Sequence, residues 1–201
     1  MIRHIIFDMG GVLREWNPDK FLNSCGLPPE DRDVLMREIF QGVEWPMQDF
    51  GLITEEETFE RVCRRIPERL YSAAEKLILH WEDLSEPIPG MADAIGRLKA
   101  RGYGIWLLSN ASRRHGEYWG KIPGSEYFDG LVISAFEGVL KPDLTMYRTI
   151  LKRFGLKAEE CVFTDDMPVN VAGALAAGMD GIVFKGTEDF IRELQKRGIK
   201  I

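Results

Sequence analysis

Cysteine is scarce in this 201-residue chain: Cys25, Cys63 and Cys161 are the only three, far apart and without CxxC spacing. That excludes a disulfide framework and a thiolate zinc site, and the three are expected to be reduced, mostly buried thiols of a cytoplasmic protein. Histidine is equally sparse, and His4 and His80 have no cluster around them. There is no basic excess either. The 26 Lys+Arg are outnumbered by 32 Asp+Glu, for a net charge of -6, and the charges are scattered, so nucleic acid is not an expected partner. No apolar run approaches the length of a membrane span, and the N-terminus enters a strand pattern almost at once, so neither membrane anchor nor signal peptide is expected. Internal repeats and low-complexity tracts are also missing.

What is present is the composition of an ordinary globular protein, 45% hydrophobic and 29% charged. The length suits one core, or a core with a smaller insertion, and is expected to be a whole unit and not a fragment. Short apolar runs recur: "HIIFD" (4–8), "YGIWLLSN" (103–110), "LVISA" (131–135), "CVFTDD" (161–166) and "GIVFK" (181–185). Each reads as a strand buried on both faces. Between the later ones lie the helical patterns "MADAIGRLKARG", "DLTMYRTILKRFG" and "VNVAGALAAG", each closing on a glycine suited to a helix C-terminus. Strand and helix in alternation predict an α/β fold, a Rossmann-like, doubly wound parallel sheet. From Asn17 to Glu86 the alternation stops. Helix starts recur there at Asn17-Pro18, Pro28-Pro29-Glu30, and Thr54 with Glu57 in a capping box. The acidic run 55–57 is accordingly read as a solvated first turn. This predicts an α/β core of residues 1–16 and 87–201 and a helical insertion, 17–86, placed after the first strand, with hinges near 9–16 and 86–90.

Ligands of open parallel sheets bind beyond the carboxyl ends of the strands. Asp8 ends the first run, Ser109 and Asn110 the second, and Asp165 and Asp166 end "CVFTDD"; Lys141 follows the third run, in "EGVLKPD". Any one of these has a plain reading, such as a helix cap, a surface charge or a turn. Together on one edge they read as a site. Three converging carboxylates repel one another, and without compensation one would stay protonated. The set asks for a cation, and hard oxygen donors without His or Cys suit Mg²⁺. Ser109, the backbone N–H groups after Asn110 and the charge of Lys141 could then hold a phosphate.

These residues resemble the haloacid dehalogenase (HAD) superfamily across essentially the whole chain. "FDMGGVL" is similar to its first motif with Asp8 as nucleophile, "LLSN" to its second with Ser109, "LKPD" to its third with Lys141, and "FTDDMPVNVAGA" to its fourth with Asp165 and Asp166. Among its branches, "FDMGGV" and "SNASRRHGEYW" look most like the one containing bacterial α-D-glucose-1-phosphate phosphatase. The resemblance implies a helical cap over the site and a small phosphate ester, such as a sugar 1-phosphate, as substrate. It also implies an aspartyl-phosphate on Asp8. Mg²⁺ would be held by Asp8, the Gly10 carbonyl and chiefly Asp166, with Asp165 binding a metal-held water or orienting Lys141. Asn170 would support the loop.

Gly10 departs from the pattern. Many phosphatases of the superfamily have an aspartate there, which protonates the leaving oxygen and later deprotonates water, a function worth about 10²- to 10⁴-fold in rate. Three alternatives follow. The first is a phosphatase in which Glu15, Asp49 or a metal-bound water substitutes, or whose leaving groups need little protonation, so that rates fall steeply as leaving-group pKa rises. The second is a metal-independent 2-haloacid dehalogenase, and the third a non-catalytic phosphate-binding protein. The paired acids at 165 and 166 argue for a cation, and a cation for phosphate. Specificity is expected from the insertion and the loop facing it. Trp16, Trp45, Asp49 and Phe50 could reach the pocket, as could Arg113, taken as a substrate contact, Arg114 and His115. Each also has a packing or solvated alternative. The sequence leaves the oligomeric state open.

Overall fold

The five apolar runs form five strands in a computed structural model that describes residues 1–201. They are β1 (His4–Phe7), β2 (Gly104–Ser109), β3 (Gly130–Ile133), β4 (Cys161–Asp165) and β5 (Asp180–Val183). All pair in parallel, in the order β3-β2-β1-β4-β5. The chain therefore builds outward on one side of β1 and then crosses to build on the other. That reversal makes the gap between β1 and β4 the switch point of the sheet. β4 is buried along its whole length and β1 at three of four residues, as strands covered on both faces must be. The edge strands β3 and β5 are covered less completely than the sequence suggests.

The insertion holds no strand. Its helices are α1 (Pro18–Ser24), α2 (Pro29–Leu35), α3 (Glu44–Asp49), α4 (Glu55–Cys63) and α5 (Tyr71–Leu79), with a π turn at Met36–Phe40 and a 3₁₀ turn at Trp81–Asp83. Asn17 caps α1 through Lys20 N, and Thr54 and Glu57 close the capping box of α4. The sheet's own helices are α6 (Met91–Ala100), α7 (His115–Tyr118), α8 (Ser134–Glu137), α9 (Leu144–Phe154), α10 (Pro168–Ala176) and α11 (Thr187–Lys196). Ser134 and Ala135, read from sequence as the end of a strand, instead open α8.

Side-chain alternation along the strands divides the core. Ile6, Leu108, Val132 and Phe163 face Met146, Tyr147 and Ile150 of α9 and Ala174 of α10. Ile5, Phe7, Ile105, Leu107 and Val162 face the other way, into an apolar body that includes α6 and α11 and runs on into Phe21, Leu35, Val62, Leu77 and Trp81 of the insertion. The two segments joining insertion to sheet are tied together, Glu15 N donating to Glu86 O (2.8 Å) and Ile88 N to Leu13 O (2.9 Å). Arg14 is buried between them. It donates to Ser85 Oγ at 2.8 Å, Ser85 O at 3.0 Å and Glu82 O, and its guanidinium lies 5.1 Å from the Trp81 ring centre. All three cysteines are free, and no helix is long and apolar enough to cross a membrane.

Candidate active site at the switch point

Asp8 continues β1 by one ladder bond, its N–H donating to Thr164 O at 2.9 Å, and so holds its carboxylate at the mouth of the β1–β4 gap. Beyond it the chain must turn sharply. Gly11 does so at φ +73°, a region costly for a residue with a side chain. A Cβ on Gly11 would stand 2.5 Å from Asp166 Cγ, so this glycine also makes room for a carboxylate of the facing loop. Asp8, Asp165 and Asp166 offer oxygens that all lie within 4.8 Å of one another.

Lys141 enters from the loop before α9. Its Nζ is 2.7 Å from both Asp8 Oδ1 and Asp165 Oδ2. The loop is clasped by Asn110, whose Oδ1 accepts from Lys141 N (2.8 Å) while Nδ2 donates to Lys141 O (3.1 Å). Asp165 is sealed behind the site with both oxygens committed: Lys141 Nζ and Asn170 Nδ2 to Oδ2, Met167 N and Asn170 Nδ2 to Oδ1. Both Asp165 oxygens are thus engaged, one of them by Lys141, whereas Asp166 has only backbone N–H partners, its own and that of Met167. The N–H groups of Gly10 and Asn110 have no backbone acceptor, which leaves them as donors that an anion could use, while that of Met9 bonds the Asp8 carboxylate.

Burial pushes the Asp8 carboxyl up to about 7; Lys141 opposes this and Asp165 reinforces it. Asp166 is raised too, by burial and then by Asp165. Burial pulls Lys141 down, but Asp8 and Asp165 outweigh it and hold its ammonium charged. One fixed cation thus stands among three carboxylates, and the excess negative charge is what an added cation would relieve. All the open donors are oxygens, which fits Mg²⁺.

A cavity of about 320 Å³ opens in front of this group, between sheet edge and insertion. Its wall carries Asp8, Gly10, Asn110, Lys141, Asp166 and Asn170, the aromatic side chains of Trp16, Phe40, Trp45, Trp81 and Tyr118, and Gln48, Asp49 and Ser112. Of the residues expected near the pocket, Trp16, Trp45 and Asp49 line it. Phe50 is 37% exposed and does not. Arg113, expected to bind substrate, lies outside: its guanidinium stands 5.8 Å from the Phe136 ring and donates to Gly51 O at 3.5 Å. Arg114 is spent on Leu79 O, Glu82 and Glu117. His115 stacks on Trp119, and burial holds its imidazole down to about 4. Ser109, at the end of β2, is buried just behind the wall, its hydroxyl making only a 3.5 Å contact with Asn110 O. Asp49 is on the wall, and burial, then Glu55 and Asp8, push its carboxyl up to about 7. Glu15 is off the wall and paired with Lys20 at 2.5 Å.

Trp81, Phe40 and Tyr118 were not legible as pocket residues. Trp81 comes from the far end of the insertion and meets Trp16 only because the two linkers run together, their rings 5.1 Å apart and nearly perpendicular. The one available signal was its position five residues before the second hinge.

A parallel sheet with a reversing strand order, a carboxylate after its central strand and a buried lysine and two acids beside it are the marks of a hydrolase class. The chain belongs to the haloacid dehalogenase-like hydrolase family, which it matches over residues 2–178. It is 28% identical over 190 residues to the sesquiterpene phosphatase astK of Aspergillus oryzae, an alignment covering 88% of this chain and 87% of that one. In fold it is similar to a HAD-like family hydrolase of Porphyromonas gingivalis (TM-score 0.75, 23% identity, all of both chains). It is also similar to a HAD family enzyme of Bacteroides thetaiotaomicron in complex with magnesium and inorganic phosphate (TM-score 0.69, 20% identity, 96% and 99% of the two chains).

Proposed function

We propose that the protein is a Mg²⁺-dependent phosphatase of small phosphate monoesters in which Asp8 is the phosphoryl acceptor. The observation that carries this is the pairing of Asp8 with Lys141 beside the carboxylate of Asp166, which no side chain engages. Asp8, the Gly10 carbonyl and Asp166 would hold the metal, which when bound neutralises charge on the phosphoryl oxygens. Lys141 and the N–H groups of Gly10 and Asn110 bind those oxygens and line up phosphorus with Asp8. The carboxylate then attacks in line, giving an aspartyl-phosphate that water hydrolyses. Asn110 and Asp165 hold Lys141 in place, and Ser109 supports Asn110 from behind. That the similar Bacteroides thetaiotaomicron structure holds magnesium and phosphate agrees with this reading. A dehalogenase would have no use for the raised, cation-seeking Asp166.

For the organic half of the substrate, the walls favour an apolar group. Five aromatic side chains offer area and few hydrogen bonds, whereas a sugar 1-phosphate leaves hydroxyls that Gln48, Asp49 and Ser112 would have to satisfy. The sesquiterpene phosphatase among the relatives points the same way. We read the residues 17–86 insertion as a cap that carries this specificity.

The test is hydrolysis of an isoprenoid monophosphate, glucose 1-phosphate and phenyl phosphate, with a 2-haloacid alongside, in Mg²⁺ and in EDTA. Mg²⁺-dependent release of phosphate, abolished by Asp8→Asn with the fold retained, is expected, fastest on the apolar esters. Dehalogenation persisting in EDTA, or full activity of Asp8→Asn, would overturn the assignment; preference for glucose 1-phosphate would restore the sugar.

A further inference from the structure

We infer that Asp49, carried by the insertion, supplies the proton that Gly10 cannot, acting as acid on the leaving ester oxygen and then as base on the attacking water. This rests on the phosphatase reading and deepens it.

Asp49 is the last residue of α3 and stands on the wall of the same cavity as Asp8, Lys141 and Asp166. It is the one carboxylic acid on that wall that comes from the insertion; Asp8 and Asp166 come from the sheet edge. No ion pair or hydrogen bond engages its side chain. The charged and titratable groups around it are Glu55, Asp8, Lys141 and Tyr118, and Lys141 is already held by Asp8 and Asp165.

Its position is set by the sheet although its chain segment belongs to the insertion. Ser134 Oγ, fully buried at the end of β3, donates to Asp49 O at 2.5 Å and accepts from Ala111 N at 3.0 Å. Two residues on, Gly51 (φ +77°) lies so close to α8 that a Cβ would be 2.2 Å from Ala135 O. Glu55 is hydrogen-bonded to Ser112 in the loop after β2. The 49–55 stretch is thus seated on the two strand ends that form the far side of the site, the rigid support a proton-transfer group needs.

The vacancy at Gly10 fits this. A Cβ there would meet Trp16 Cβ at 3.6 Å, so any longer side chain would grow toward the indole that walls the cavity. The other acid-base candidates are elsewhere: Glu15 is tied to Lys20, and His115 is stacked away from the cavity.

The step balances. An Asp8 oxygen attacks phosphorus, the P–O ester bond breaks, and its electron pair stays on the leaving oxygen, which takes the Asp49 proton. The Asp49 carboxylate then removes a proton from water as that water's oxygen attacks the aspartyl-phosphate; the bond to Asp8 breaks, returning its carboxylate, and phosphate leaves.

The test compares wild type, Asp49→Asn and Asp49→Glu on p-nitrophenyl, phenyl and benzyl phosphate, whose leaving groups need increasing help from a proton, in single-turnover assays with Mg²⁺. Asp49→Asn is expected to lose about 10²- to 10⁴-fold on benzyl phosphate and less than about tenfold on p-nitrophenyl phosphate, with Asp49→Glu regaining part of the loss. The steep leaving-group dependence expected from Gly10 alone would then belong to Asp49→Asn and not to the wild type. Equal losses on all three esters, or none, would overturn the role of Asp49 while leaving the phosphatase reading intact. No hydrolysis of any ester by the wild type would overturn both. Unfolding curves of the three proteins separate a folding defect from a catalytic one, and the Asp49→Glu rescue separates chemistry from packing.

Discussion

Replacing Gly11 by alanine should damage the metal site far more than the fold. The backbone at φ +73° would force the new residue into a left-handed conformation, at a cost of about 1–2 kcal/mol, or roughly 2–8 °C in Tm for a chain of this length. The methyl would also lie 2.5 Å from Asp166 Cγ, about 1 Å inside ordinary carbon contact, so the carboxylate must move by about that much. A displacement of about 1 Å at a reacting constellation is worth about 10²-fold. Gly155, at φ +65° with nothing within 4 Å of its would-be Cβ, is the control: alanine there meets the same backbone strain with no collision. Both variants should lose similar stability in thermal unfolding. Only Gly11→Ala should lower turnover by that factor and weaken Mg²⁺ binding in calorimetric titration, by about 10- to 100-fold. Equal Mg²⁺ affinity in the two variants would refute the claim that Gly11 is there for Asp166.

His115 gives a pH prediction. Its folded pKa of about 4 lies below the unfolded value of 6.5, so between these the unfolded chain binds more protons and stability falls as pH falls, by about 3 kcal/mol at pH 4. His115→Phe, which keeps a ring on Trp119, should lose that part of the slope in urea titrations, and identical slopes would contradict it. Asp165→Asn removes a buried partner of Lys141 and turns an acceptor of the Asn170 amide into an amide, so a loss approaching 3–5 kcal/mol is expected, with Asp8 still pairing the lysine. A urea midpoint matching wild type would sink that account.

The sheet was legible because its strands are short apolar runs bounded by glycine and polar residues, and because parallel strands need helices between them. Three of the five runs contain their strand whole, and β3 and β5 each begin one residue before the run. The ends were less so: Ser134 looks like strand in "LVISA", yet its hydroxyl is needed at Asp49 and Ala111, and the chain turns into α8 there. At the site, Asp8, Gly10, Asn110 and Asp166 reach the cavity because strand ends place them, a matter of local pattern, and Lys141 arrives from the loop before α9, clasped by Asn110. Arg113 misled because its neighbours in sequence line the pocket, while its own side chain points to Phe136. The aromatic wall drew on residues as distant as Trp16, Trp81 and Tyr118, and no local pattern reports which of them meet.

The hydrogen-bonded linkers have a consequence for how such a chain can change. Because the insertion leaves and rejoins the sheet at one point, held by Arg14, the separation of β1 from α6 does not depend on what lies between. A different insertion could be grafted between Glu15 and Ser85, keeping the clasp, without moving Asp8 or Lys141. With Asp49 on the transplanted piece, such an exchange would swap the proton donor together with the substrate walls, and a glycine at position 10 would leave the sheet open to whichever donor arrives.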